Sequence, residues 1–129
     1  MRYYVELNVP LGTPPSAPAI AEIKLTPGII EHVSLYFPPG SGGWLNVQLW
    51  LNGSQLVPWE RGTWQRGDDV LIPDYGKYQV AAEPYLLIVK AFNTGALYAH
   101  SVMVGVELTA FQATPQQSPD TSLVGMRFD

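Results

Sequence analysis

The sequence predicts an all-β fold, a single-domain antiparallel β-sandwich or jelly roll of about eight to nine strands. Three observations predict it. Apolar residues recur at every second position through most of the chain, the period of a half-buried strand. Twelve prolines and twelve glycines in 129 residues punctuate that alternation and leave little room for a long helix. The apolar runs are short and evenly spaced, with turn residues between them, the form expected of a sandwich or barrel. A chain of this length can bury an adequate core without covalent staples, and it has no cysteine with which to make one.

The elements follow in order. A first strand at 2–9 sets Tyr3, Val5, Leu7 and Val9 on one face, and a Pro-rich linker runs from Pro10 to Pro18. A second strand at 19–25 places Ala21, Ile23 and Leu25 opposite Glu22 and Lys24. Pro27-Gly28 reads as a turn, Pro suiting its first central position and Gly its second. A third strand at 29–37 aligns Ile29, Val33, Leu35 and Phe37, with Glu31 sharing that face at the sheet rim. After Pro38-Pro39-Gly40-Ser41-Gly42-Gly43, a fourth strand at 44–51 alternates Leu45, Val47, Leu49 and Leu51 with Trp44, Asn46, Gln48 and Trp50. Asn52-Gly53 is a strong two-residue hairpin signal, because both residues tolerate positive φ, and the return strand is 54–58. Residues 59–77 are irregular except for Val70-Leu71-Ile72. A short strand follows at 78–82 and a longer one at 85–92. Asn93-Thr94-Gly95 turns the chain into a last strand at 97–111, with Tyr98, Val102, Val104, Val106 and Leu108 in one row. There Gly105 is expected to mark a bulge or a close approach by another backbone. The sandwich domain is therefore expected at 1–111. Residues 112–129, polar until Leu123-Val124-Gly125-Met126-Arg127-Phe128, form a C-terminal extended arm that either reaches a neighbouring subunit or packs on its own domain.

Composition narrows the function. Hydrophobic residues make up 47% of the chain and charged residues only 14%, about half the usual share for a globular protein. So little charge implies that partners cover part of the apolar surface. A net charge of −4 with seven scattered Lys and Arg excludes a phosphate-binding face, so no nucleic acid is expected. No apolar run approaches a membrane span. The chain starts as a strand rather than as a signal peptide, so synthesis in a cytoplasm is expected.

No constellation carries catalysis, and neither an enzyme nor a cofactor is expected. His32 and His100 are two where zinc catalysis usually needs three protein ligands, and they read as satisfied or exposed. Asp68, Asp69 and Asp74 are weak metal candidates, since turns collect Asp for their own hydrogen bonding. Gly40-Ser41-Gly42-Gly43 precedes a strand, so it offers no helix N-terminus to an anion. Trp44, Trp50, Trp59 and Trp64 are the residues of most interest. Rings beside amides suit a subunit interface, ordinary packing, or a glycan platform. Phe128 in the arm is a fifth interface candidate.

Pro27-Gly28-Ile29-Ile30, Phe37-Pro38-Pro39-Gly40, Val47-Gln48-Leu49, Gly67-Asp68-Asp69, Pro84-Tyr85, Ala91-Phe92-Asn93 and His100 together resemble small β-sandwich virion structural proteins of bacteriophages and viruses. The resemblance spans about residues 20–108 and carries over no defined site. It implies a non-enzymatic virion component (a capsid, cement or decoration, or spike subunit), with a homo-oligomer and other virion proteins as partners. The alternative is a carbohydrate-binding or receptor-binding module using surface tryptophans, with a glycan as its ligand.

Overall fold

The computed structural model of the protein describes residues 1–95 and 97–111; the expected C-terminal arm at 112–129, Phe128 included, lies outside the described residues. Ten strands form: β1 (Arg2–Val9), β2 (Ala19–Lys24), β3 (Gly28–Phe37), β4 (Leu45–Leu51), β5 (Ser54–Val57), β6 (Gln65–Arg66), β7 (Val70–Asp74), β8 (Tyr78–Val80), β9 (Leu86–Asn93) and β10 (His100–Ala110). They build two antiparallel sheets packed face to face. One has the order β1-β10-β3-β7, with β8 also on β3; the other has the order β2-β9-β4-β5, with β6 also on β4. The all-β sandwich is thus as expected. The additional strand is β6, two residues in the irregular stretch that pair with Asn46 and Val47.

The core lies between the sheets, where the inward rows meet. Val102, Val104, Val106 and Leu108 of β10 face Leu45, Val47 and Leu49 of β4 and Leu87, Val89 and Ala91 of β9, and all are buried. Burying each large aliphatic side chain stabilises the fold by about 1.5–3 kcal/mol, and strict alternation is what delivers them all to one side.

Four expectations need correction. In β3 it is Ile30, not Ile29, that is buried with Val33, Leu35 and Phe37. The cause is a bulge: β10 pairs Glu107 with His32 but Leu108 with Ile30, so Glu31 is an extra residue and the faces exchange there. The Lys77 ammonium bonded to Glu31, then Thr109, holds the Glu31 carboxyl below its ordinary range. Gly28 is the first residue of β3, and its role is close approach rather than turn geometry: a Cβ there would lie 2.3 Å from the Thr109 carbonyl oxygen. Gly105 faces a side chain instead of a backbone, with Ser34 Oγ 2.9 Å from where its Cβ would be. Trp44 and Tyr98, expected within strands, precede β4 and β10 and belong to loops.

The register places the long connections together. Val9 pairs with His100, Phe37 with Val70, and Leu45 with Asn93. Segments 10–18, 38–44, 58–69 (which includes β6) and 94–99 therefore gather at one end of the sandwich. The opposite end carries short turns, among them Asn52-Gly53, where both residues have the positive φ (48° and 88°) that its sequence promised.

Candidate functional site

The long-loop end is a built surface. Its centre is Asn93, which is 0% exposed. The Asn93 amide donates to the carbonyl oxygens of Val9 (3.3 Å) and Tyr98 (3.0 Å) and accepts from the Gly95 N–H (2.9 Å). Its own backbone N–H donates to Thr13 (3.0 Å), and the Gly12 N–H donates to Gly95 (3.1 Å). One buried amide thus joins the end of β1 to the 10–18 and 94–99 segments. The 38–44 loop is fixed separately. The Gly40 N–H donates to Asp68 Oδ1 (2.7 Å), and the buried Ser41 hydroxyl donates to the Gly67 carbonyl. Gly40, Gly42 and Gly43 have φ of 107°, 54° and 87°, a left-handed path that only glycine follows without strain.

These anchors hold Trp44 over Gly95. The Thr94 N–H donates to the Trp44 carbonyl (3.1 Å), and a Cβ on Gly95 would sit 3.4 Å from Trp44 Cβ and Cγ. Beside the indole opens a groove of about 370 Å³ lined by Gly40, Trp44, Thr94, Gly95, Leu97, Tyr98 and His100. Trp44 is 52% exposed, Leu97 77% and Tyr98 68%. Among the described residues no Asp, Glu, Lys or Arg lines the groove, which suits it to bury an apolar or aromatic group. Compared with known proteins, the chain matches no family model and no curated protein.

The four tryptophans do not form one platform. Trp50 and Trp64 cover the outer face of the β2-β9-β4-β5 sheet. Trp50 Nε1 donates to Gln48 Oε1 (3.0 Å), with the Lys90 ammonium 4.4 Å from its ring centroid; Trp64 meets Phe92 edge-on at 4.7 Å. Trp59 lies in the 58–69 segment at 88% exposure. A second pocket, about 300 Å³, lies against Gln48, Trp50, Gln55 and Arg61. Its amides are already committed: Gln48 Nε2 donates to Thr63 (2.8 Å), and Gln55 donates to Pro58 (2.9 Å) while accepting from Gly62 (3.1 Å).

The acidic candidates are likewise spent on loop geometry. Asp68 caps Gly40, Asp74 accepts from the Gly76 N–H (2.8 Å) and the Tyr78 hydroxyl (2.9 Å), and Asp69 takes a positive φ of 51°. Among the described residues no group of three His, Cys, Asp or Glu side chains is placed to hold a metal. His32 stacks on Tyr75 at 4.6 Å, and His100 forms the groove's rim. Sequence reasoning missed Asn93, Leu97 and Tyr98 as site residues. The usable signal was an apolar pair close behind a turn, Leu97-Tyr98 after Asn93-Thr94-Gly95. Among the described residues no helix is long and apolar enough to cross a membrane.

Proposed function

We propose that the chain is a non-enzymatic structural subunit of a virus or phage particle (a capsid, cement or spike component) that works through subunit–subunit contacts made by its long-loop end. The observation that carries this reading is the groove of Trp44, Leu97 and Tyr98. These are large apolar side chains held exposed by a buried hydrogen-bonded scaffold, on a chain in which only 14% of residues are charged. Aromatic anchors in a pre-formed, charge-free depression are what a protein interface uses for its central contacts. Two further features support it. Strands β1 to β4 alternate between the sheets, as do β8, β9 and β10, an order that supports the jelly-roll reading, a fold frequent in capsid and lectin domains. The turn pattern also resembles virion sandwich proteins.

The test is co-sedimentation. Full-length chain should band with particles purified from the source of the sequence. The double variant Trp44→Glu/Tyr98→Glu, folded by circular dichroism, should stay at the top of the gradient. Wild-type chain at the top of the gradient contradicts the reading. The carbohydrate reading keeps one observation in its favour, the free Trp59 ring. Glycan-array binding lost in Trp59→Ala, with no particle association, would replace the first reading by the second.

A further inference from the structure

We propose that two copies of this chain pair β1 against β1, antiparallel about a two-fold axis, with Tyr4 opposite its own copy and Arg2 opposite Glu6 of the second copy. The surface is the free edge of one sheet rather than the loop-end groove, so the proposal does not rest on the virion reading.

The direction of the backbone groups follows from one pair. Met1 N donates to the Leu108 carbonyl at 2.7 Å, and Leu108 N donates back to Met1 at 2.8 Å. In an antiparallel ladder such doubly bonded pairs alternate with unbonded ones. The β1–β10 register is unbroken from Arg2↔Glu107 to Val9↔His100. Tyr3, Val5 and Leu7 therefore aim their N–H and C=O at β10, while Arg2, Tyr4, Glu6 and Asn8 aim theirs away from it. Among the described residues no strand other than β10 pairs with β1. The flank is also incompletely closed. The inward side chains of Tyr3, Val5 and Leu7 are only half-buried, whereas Val102, Val104 and Val106 beside them are buried.

Other sheet edges carry the devices that prevent pairing. β7 contains Pro73; β5, β6 and β8 have four, two and three residues. β2 carries Lys24, and pairing it with itself about Glu22 would oppose two carboxylates. β1 has eight residues with neither proline nor lysine nor bulge. Its charges select the register. An axis through Glu6 sets Glu6 against Glu6, and an axis through Val5 sets Tyr4 against Glu6. Only the axis through Tyr4 sets Arg2 directly opposite Glu6, and symmetry makes that pair twice. The Arg2 and Glu6 side chains are exposed on the outer face and can meet there. The β1-β10-β3-β7 sheet then runs continuously through both copies.

Sedimentation velocity and amide hydrogen exchange on the full chain test this. The expected result is a dimer in which the amides of Arg2, Tyr4 and Glu6 exchange slowly, as do those of Tyr3, Val5 and Leu7. Tyr4→Pro removes a donor that points away from β10, at an edge position where a sheet accepts proline, so it should yield a monomer whose Tyr3, Val5 and Leu7 amides stay protected. Arg2 Nε lies 3.5 Å from Glu107 Oε2, so the charge tests use a Glu107→Gln background. There Glu6→Arg should give a monomer, and adding Arg2→Glu should restore the dimer, a rescue that misfolding cannot imitate. A monomer at every concentration, a dimer with a freely exchanging Tyr4 amide, or a monomer with that amide protected would each overturn the proposal. None of these outcomes alters whether the chain bands with particles.

Discussion

Asn93 has no contact with water, yet it holds three pieces of chain at the loop end. Asn93→Ala strands the carbonyls of Val9 and Tyr98 and the N–H of Gly95. Each buried group left without a partner costs about 1–3 kcal/mol, and partial access to water offsets some of the total, so the variant should lose about 2–3 kcal/mol in urea unfolding. Tyr78 illustrates a different residue-scale effect. Burial first, then the hydrogen bond donated to Asp74, pushes its hydroxyl from the ordinary 10.0 up to about 12. The folded value lies above the unfolded one, so this stabilisation is complete below pH 10 and is lost as pH rises through about 12. In an ultraviolet titration the Tyr78 step should fall at about pH 12. Asp74→Asn should bring it part of the way back, because burial, the larger cause, remains.

At the scale of elements, what was legible depended on whether a strand could be judged alone. β4 alternates without interruption and ends in Asn52-Gly53, so its inward row of Leu45, Val47, Leu49 and Leu51 follows from the residues themselves. β3 does not. The bulge at Glu31 is set by the register against β10, a partner about seventy positions later, and no local pattern announces it. The same distance hid the role of Gly28, which is tight against Thr109 and Ala110. Gly28→Ala must open the β3–β10 ladder and should cost about 2–3 kcal/mol. Gly12→Ala, at φ 73° with nothing within 4 Å, should cost about 1–2 kcal/mol, the left-handed backbone alone. Parallel urea titrations of the two variants check the ordering. The candidate site was legible in part for a related reason. Tryptophan drew attention to Trp44, but Leu97, Tyr98 and Asn93 become its neighbours only when 38–44 and 94–99 are brought to one end.

At the scale of the whole molecule, the sandwich satisfies its core and leaves large apolar side chains outside it, including Trp44, Trp59, Leu97, Tyr98 and Tyr4. Seven Lys and Arg and eleven Asp and Glu cannot screen so much apolar surface; under the proposed function, neighbouring subunits would cover it. The most direct test is hydroxyl-radical footprinting read by mass spectrometry, comparing free chain with chain in purified particles. The account predicts that Trp44, Leu97 and Tyr98 are oxidised in the free chain and protected in the particle. Equal oxidation of these three residues in both states would contradict it.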